Sequence, residues 1–173
     1  VTAAILGCFN QLRQDQWDAH ELAEMAFQAE RLYLEVAGGW QDQYATVFGG
    51  FNFIEFRPDQ NLVHPLRIHP DVLIELEESL LLCDTGIQHD SGEIHQDQRQ
   101  QLERAEIQQL VQENVKLTYQ MRDHLLRGRL HEFGYALHQA WKLKRQFSSK
   151  ISNSELDATY ELARRHGALG GKI

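Results

Sequence analysis

Two carboxylates with a pair of glycines between them are the residues of this chain best suited to do chemistry. In the stretch AFQAERLYLEVAGGWQDQYA, Glu30 stands near the end of a helical pattern, Gly38 and Gly39 break it, and Asp42 opens the next helical turn. Glycine lets backbone approach a ligand closely. A helix N-terminus presents free N–H groups and positive dipole character, so an anionic group can be held there without a basic side chain. An aspartate in that first turn can orient or deprotonate a hydroxyl, and the earlier glutamate offers Mg2+ a hard oxygen. The competing structural reading is that Glu30 pairs with a surface Lys or Arg while Asp42 caps its helix.

Other clusters carry less. His124, His131 and His138 recur every seven residues, but Gly128 interrupts the helix between the first two, and no carboxylate or cysteine completes a tetrahedral metal set. His89, Asp90, His95 and Asp97 fall in a polar stretch whose turn-forming residues explain them as surface loop.

The elements that must position the carboxylates follow from hydrophobic periodicity. Asp18 or Asp15 can cap a helix running to about Val36, with Leu22, Met25, Ala26, Ala29, Leu32 and Tyr33 on its core face. WQDQYATVF resumes a short helix before Gly49 and Gly50. FNFIEF alternates with period two, a turn follows at residues 57–60, and NLVHPLRI makes the second strand of an antiparallel hairpin, with Pro65 marking an edge. Asp71 can cap a helix toward Glu78, and SLLLCDTG reads as a short buried strand that gives the sheet a third member.

Residues 85–97 lose all periodicity and read as an exposed loop, a candidate lid. Residues 98–126 and 128–147 read as a helical hairpin. Ser152 or Ser154 caps a last helix through His166, Gly167 stops it, and GALGGKI turns into a strand that ends at once. The fold class expected is α+β, with helices dominating. At the other end VTAAILGCFNQL enters a helix with no capping residue ahead of it, so a preceding segment is expected.

Composition excludes whole classes of function. The chain has 173 residues, 42% of them hydrophobic and 24% charged, which is globular usage with length for a real core. Against 25 acidic residues stand 17 basic ones, a net charge of −8 that repels nucleic acid and anionic membrane surfaces. No apolar run approaches a bilayer span. Cys8 and Cys83 form no disulfide framework, which fits a reduced, cytoplasmic location.

The wording of the central stretch is specific. FQAER followed by GGWQDQYATVFGGFNFIEF resembles the GHMP family of small-molecule kinases, most of all those acting on heptose phosphates. CDTGIQHDSGEIHQDQ, HQAWKLKRQFSSKISN and ARRHGALGGKI are similar to the same subgroup, so the likeness runs along the whole chain. The resemblance implies an ATP- and Mg2+-dependent kinase that transfers the γ-phosphoryl group to a sugar or sugar-phosphate hydroxyl. It makes Asp42 the catalytic aspartate and Glu30 the Mg2+ ligand. Phosphoryl transfer needs alignment and charge neutralisation more than covalent help, which suits such a pair.

Gly39, Trp40, Gln41 and Gln43 become candidate acceptor contacts, by stacking and amide hydrogen bonds, with Trp40 equally at home as plain core. Thr85 and Gly86 are further candidates beside the simpler reading as a turn. Lys142, in the basic patch with Lys144 and Arg145, is a candidate for an acceptor phosphate beside its reading as a solvated helix end. The resemblance assigns residues 1–70 to the rest of the N-terminal kinase lobe and 71–173 to a C-terminal lobe. The Gly/Ser phosphate loop and the second glycine-rich motif of that family are not in this sequence, so an excised segment is expected. Its open helix and strand ends make a homodimer conceivable. The alternatives are a kinase for fucose, galactose or a mevalonate-like alcohol, and a non-catalytic module that docks a partner through the helices of residues 98–147.

Overall fold

The structure, a computed structural model, describes residues 1–86, 97–98 and 100–172. The chain divides into two compact units, Val1–Leu66 and Arg67–Ile173.

The first unit contains α1 (Thr2–Arg13), α2 (Ala19–Gln28), a π-helical turn (Ala29–Tyr33), α3 (Gln41–Phe48) and a hairpin of β1 (Asn52–Phe56) and β2 (Asn61–Pro65). Helix α2 is capped by Asp18, one of the two candidates, and not by Asp15. The Asp18 carboxylate accepts from Glu21 N–H and the Glu21 carboxylate accepts from Asp18 N–H, which satisfies two N-terminal donors reciprocally. The buried residues Ala3, Ala23 and Ala26 are small, so α1 and α2 approach closely. Asn10 braces the link between them, donating to Trp17 O and accepting from Trp17 N–H. The hairpin is antiparallel, with Phe53 opposite His64 and Phe56 opposite Asn61, and Phe53 faces inward.

The second unit holds α4 (Pro70–Ser79), α5 (Ala105–Leu126), α6 (Leu130–Lys144) and α7 (Ser154–Arg165). Helices α5 and α6 form the expected hairpin, turned at Gly128, whose φ of 66° a side chain would disfavour. The core gathers Trp141, Ile151 and Tyr160, with Phe147 packed against them. The glycine-rich end lies directly on α6. A Cβ at Gly170 would meet Gly134 O at 2.0 Å, so only glycine allows that approach of two backbones.

Several local expectations are corrected. The helix expected to reach Val36 gives up α geometry at Gln28 and ends at Tyr33. Helix α4 is capped by His69, whose Nδ1 accepts from Asp71 N–H at 3.3 Å, with Pro70 at the first helical position, rather than by Asp71. Asn153 caps α7 through bonds from Glu155 and Leu156 N–H, while Ser152 Oγ instead donates to Asp157.

The third strand does not form. Residues 80–86 carry no ladder, Leu81 and Leu82 are fully exposed, and the sheet among the described residues has two strands. GALGGKI likewise forms no strand among its described residues. Hydrophobicity proposes a strand, but a strand exists only where another backbone edge pairs with it. The first of the two expected hairpin helices is helical at Gln98, Gln100 and Gln101, breaks into a turn over residues 102–104, and runs on as α5 from Ala105. The helix-dominated α+β class stands. His89, Asp90 and His95, with nearly all of the expected lid, lie outside the described residues.

Candidate functional site

The stretch from Glu24 to Asn61 builds a polar network inside the first unit. Glu24 is its hub. Its Oε1 accepts from Tyr44 Oη at 2.6 Å and from Asn61 Nδ2 at 2.8 Å, and its Oε2 accepts from Trp40 Nε1 at 3.3 Å. Three donors compensate the half-buried carboxylate. Burial, reinforced by the hydrogen bond to Glu24, pushes the Tyr44 phenol up to about 12, so it remains a neutral donor. Trp40 is fixed further by stacking on Phe27, with ring centroids 4.3 Å apart and planes within 10°.

Next to this hub the backbone changes helical type. Over Ala29–Tyr33 the hydrogen bond widens to the π pattern, Leu34 N–H donating to Ala29 O at 3.1 Å. An inserted residue of this kind re-aims the side chains around it, and such turns recur at functional sites. Here it presents Glu30 and Arg31 toward the start of α3. Gln43 Nε2 donates to Glu30 Oε2, and Arg31 Nη2 lies 3.9 Å from Asp42 Oδ2. Two successive residues of the π turn thus reach two successive residues in the first turn of α3.

The expected site residues fall into two groups. Glu30, Gly39, Trp40, Gln41, Asp42 and Gln43 all lie in the first unit, around the joint of the π turn and α3. Asp42 is solvent-facing, its side chain 80% exposed. Gly39 leaves open space on its Cα side, since a Cβ there would meet nothing within 4 Å. Gln41 is exposed, whereas Gln43 is buried with its Oε1 unpartnered among the described residues. Trp40 retains partial exposure beside its fixed ring contacts.

Thr85, Gly86 and Lys142 lie in the second unit. Gly86 N–H donates to Asp84 Oδ1 at 2.8 Å in an Asx turn with φ 65°. Lys142 is exposed at the end of α6. Its neighbour Lys144 is more enclosed, with burial pushing its ammonium below the ordinary value, and Arg145 pairs with Asp157 at 2.6 Å. His138 Nδ1 lies 2.9 Å from Tyr160 Oη, and no group of three or more His, Cys, Asp or Glu gathers for a metal among the described residues.

Mg2+ does not demand such a cluster, because it commonly takes one or two protein carboxylates and completes its shell with water and phosphate oxygens. Glu30 fits that share, with Gln43 holding one carboxylate oxygen and leaving Oε1 outside that bond. Sequence reasoning missed Glu24, Arg31, Tyr44 and Asn61. Arg31 alone carried a local signal, a cation beside the candidate metal ligand and just before the glycine break.

Residues 1–50 match the GHMP kinases N terminal domain. That match covers the first 50 residues, and solved sugar-kinase structures share the fold along 99% of this chain. Among individual proteins, it is 34% identical over 154 residues to the D-glycero-alpha-D-manno-heptose 7-phosphate kinase of Campylobacter jejuni, covering 88% of this chain and 45% of that one. A crystal structure of a D-glycero-D-manno-heptose 1-phosphate kinase from Bacteroides thetaiotaomicron matches 99% of this chain and 46% of its own at 27% identity, with a TM-score of 0.71. L. major mevalonate kinase in complex with R-mevalonate, 20% identical, shares the fold at a TM-score of 0.69 over 99% of this chain and 50% of its own. The chain spans about half the length of these relatives. No helix of the described residues is long and apolar enough to cross a membrane.

Proposed function

We propose that this chain supplies the acceptor side of the active site in an ATP-dependent sugar kinase, with a heptose phosphate as acceptor. The identity to a heptose 7-phosphate kinase along most of the chain supports the substrate class. The observation that carries the site is the joint between the π turn and α3, where Gln43 meets Glu30 and Arg31 meets Asp42.

Asp42, exposed in the first turn of α3 beside the open face of Gly39, orients the acceptor hydroxyl and takes its proton as the oxygen attacks the γ-phosphorus. Glu30 holds Mg2+, which when bound neutralises charge on the phosphates. Gln43 fixes the Glu30 carboxylate, and its buried, unpartnered Oε1 is an acceptor for a ligand hydroxyl. Gln41 and Trp40 line the approach to the same hydroxyl. A cytoplasmic location follows from the need for ATP.

The test is phosphoryl transfer from ATP by the full-length protein across a panel of sugar phosphates and free sugars. A heptose phosphate is expected to be turned over best, and Asp42→Asn to lower kcat about 100-fold or more. Turnover that survives Asp42→Asn little changed would remove Asp42 from the chemistry. An equal failure with every sugar would favour a non-catalytic module.

A further inference from the structure

Arg31 is the one strong cation facing the candidate catalytic aspartate among the described contacts, and its whole guanidinium is engaged. The side chain is only 11% exposed. Its Nε donates to Gly39 O at 3.3 Å, its Nη1 to Val36 O at 3.4 Å and Ala37 O at 3.5 Å, and its Nη2 points to Asp42 Oδ2 at 3.9 Å. A buried cation must be compensated. Here the compensation comes from the carbonyls of the connection between the π turn and α3, the segment that delivers Asp42. Gly38 is part of the same fit, because a Cβ there would lie 2.6 Å from the guanidinium carbon.

We infer that Arg31 is a positioning residue for phosphoryl transfer: its planar fork ties residues 36–39 to the π turn and so holds Asp42 at the acceptor hydroxyl. The assignment rests on the kinase reading above. It requires Arg rather than Lys, because three differently directed nitrogens are used and an ammonium offers only a point charge. Each hydrogen bond is long, so the fork works as a set: the loop stays in place only while all of its contacts are made together.

The experiment compares wild type, Arg31→Ala, Arg31→Lys and Gly38→Ala in the full-length kinase. Arg31→Ala is expected to lower kcat about 100-fold, with KM for ATP within about twofold, since misplacing a reacting group by about 1 Å costs on that order. Arg31→Lys should recover little of the loss. Guanidinium chloride at non-denaturing concentration should restore part of the Arg31→Ala turnover, a rescue that a general loss of folding would not show. Amide exchange over residues 35–40 should rise in the same variant.

If Arg31→Ala does not fold, Gly38→Ala provides the same reading, because the added methyl pushes the guanidinium off the loop while leaving Arg31 in the chain. Its kcat is then expected to fall. An active wild type whose Arg31→Ala or Gly38→Ala kcat is unchanged overturns the inference alone. So does a loss of kcat matched by an equal rise in KM with no guanidinium rescue. A wild type that phosphorylates no sugar overturns the kinase reading, and the inference with it.

Discussion

The two units of the chain are held together by different physics. In Arg67–Ile173 the centre is apolar and aromatic, with Trp141, Ile151 and Tyr160 packed together and a glycine-rich tail pressed onto α6 at Gly134. In Val1–Leu66 three of the five buried apolar residues are alanines, and the aromatic contacts around Tyr44 and Trp40 are overlaid by polar bonds running from Glu24 to Tyr44, Asn61 and Trp40 and from Glu30 to Gln43. Hydrophobic contact is non-directional and tolerates substitution of similar volume, whereas a hydrogen-bonded carboxylate fixes its partners in angle and distance. The second unit invests in stability and the first in geometry. The candidate site sits where geometry dominates.

The largest effect separating the two is expected at Trp141. Replacement by Ala should destabilise the protein by about 3–5 kcal/mol, read by denaturant unfolding, since a fully buried Trp is removed from the core. Trp141→Phe should cost clearly less, because the indole N–H has no partner among the described residues and the aromatic contact is kept. Equal losses for Ala and Phe would mean that apolar packing does not govern that core.

A smaller effect, of opposite origin, is expected at Tyr44. Its phenol is raised from 10.0 to about 12 in the folded protein, so folding favours the neutral form. The stability this provides is complete below pH 10 and is lost as pH rises from 10 through 12. The loss should amount to about 3 kcal/mol at most, by proton linkage. Tyr44→Phe should lack that alkaline component when stability is measured across the same window. An identical pH dependence in the variant would place the phenol outside the Glu24 network.

How far the sequence revealed this arrangement depended on the range of the interactions. The start of α2 needs only a nearby cap, which narrowed it to Asp15 or Asp18, and the β1–β2 hairpin combines local alternation with a local turn, so both were legible in outline, while the Glu21 half of the box was not. The cap of α7 was misplaced by one residue among three adjacent candidates, Ser152, Asn153 and Ser154, because only the backbone angle decides which oxygen reaches the free N–H groups. The Leu80–Leu82 run suggested a strand because hydrophobicity is local while strand pairing is not.

The site shows the same division. Glu30 and Asp42 were recognisable from a glycine break and two carboxylates. The Glu24 hub joins residues 20 and 37 positions apart, and nothing in their spacing announces it. The π turn was hidden too, since its sequence continues the helical pattern of α2 without interruption.

The central claim, that the π turn and the first turn of α3 form one acceptor site, is tested most directly by a crystal structure of the full-length Asp42→Asn protein with a non-hydrolysable ATP analogue, Mg2+ and a heptose phosphate. The account predicts an acceptor hydroxyl within hydrogen-bond reach, about 3 Å, of residue 42. It also predicts the cation on Glu30. A sugar bound elsewhere, with residue 42 in open solvent and Glu30 bonded only to Gln43, would contradict it.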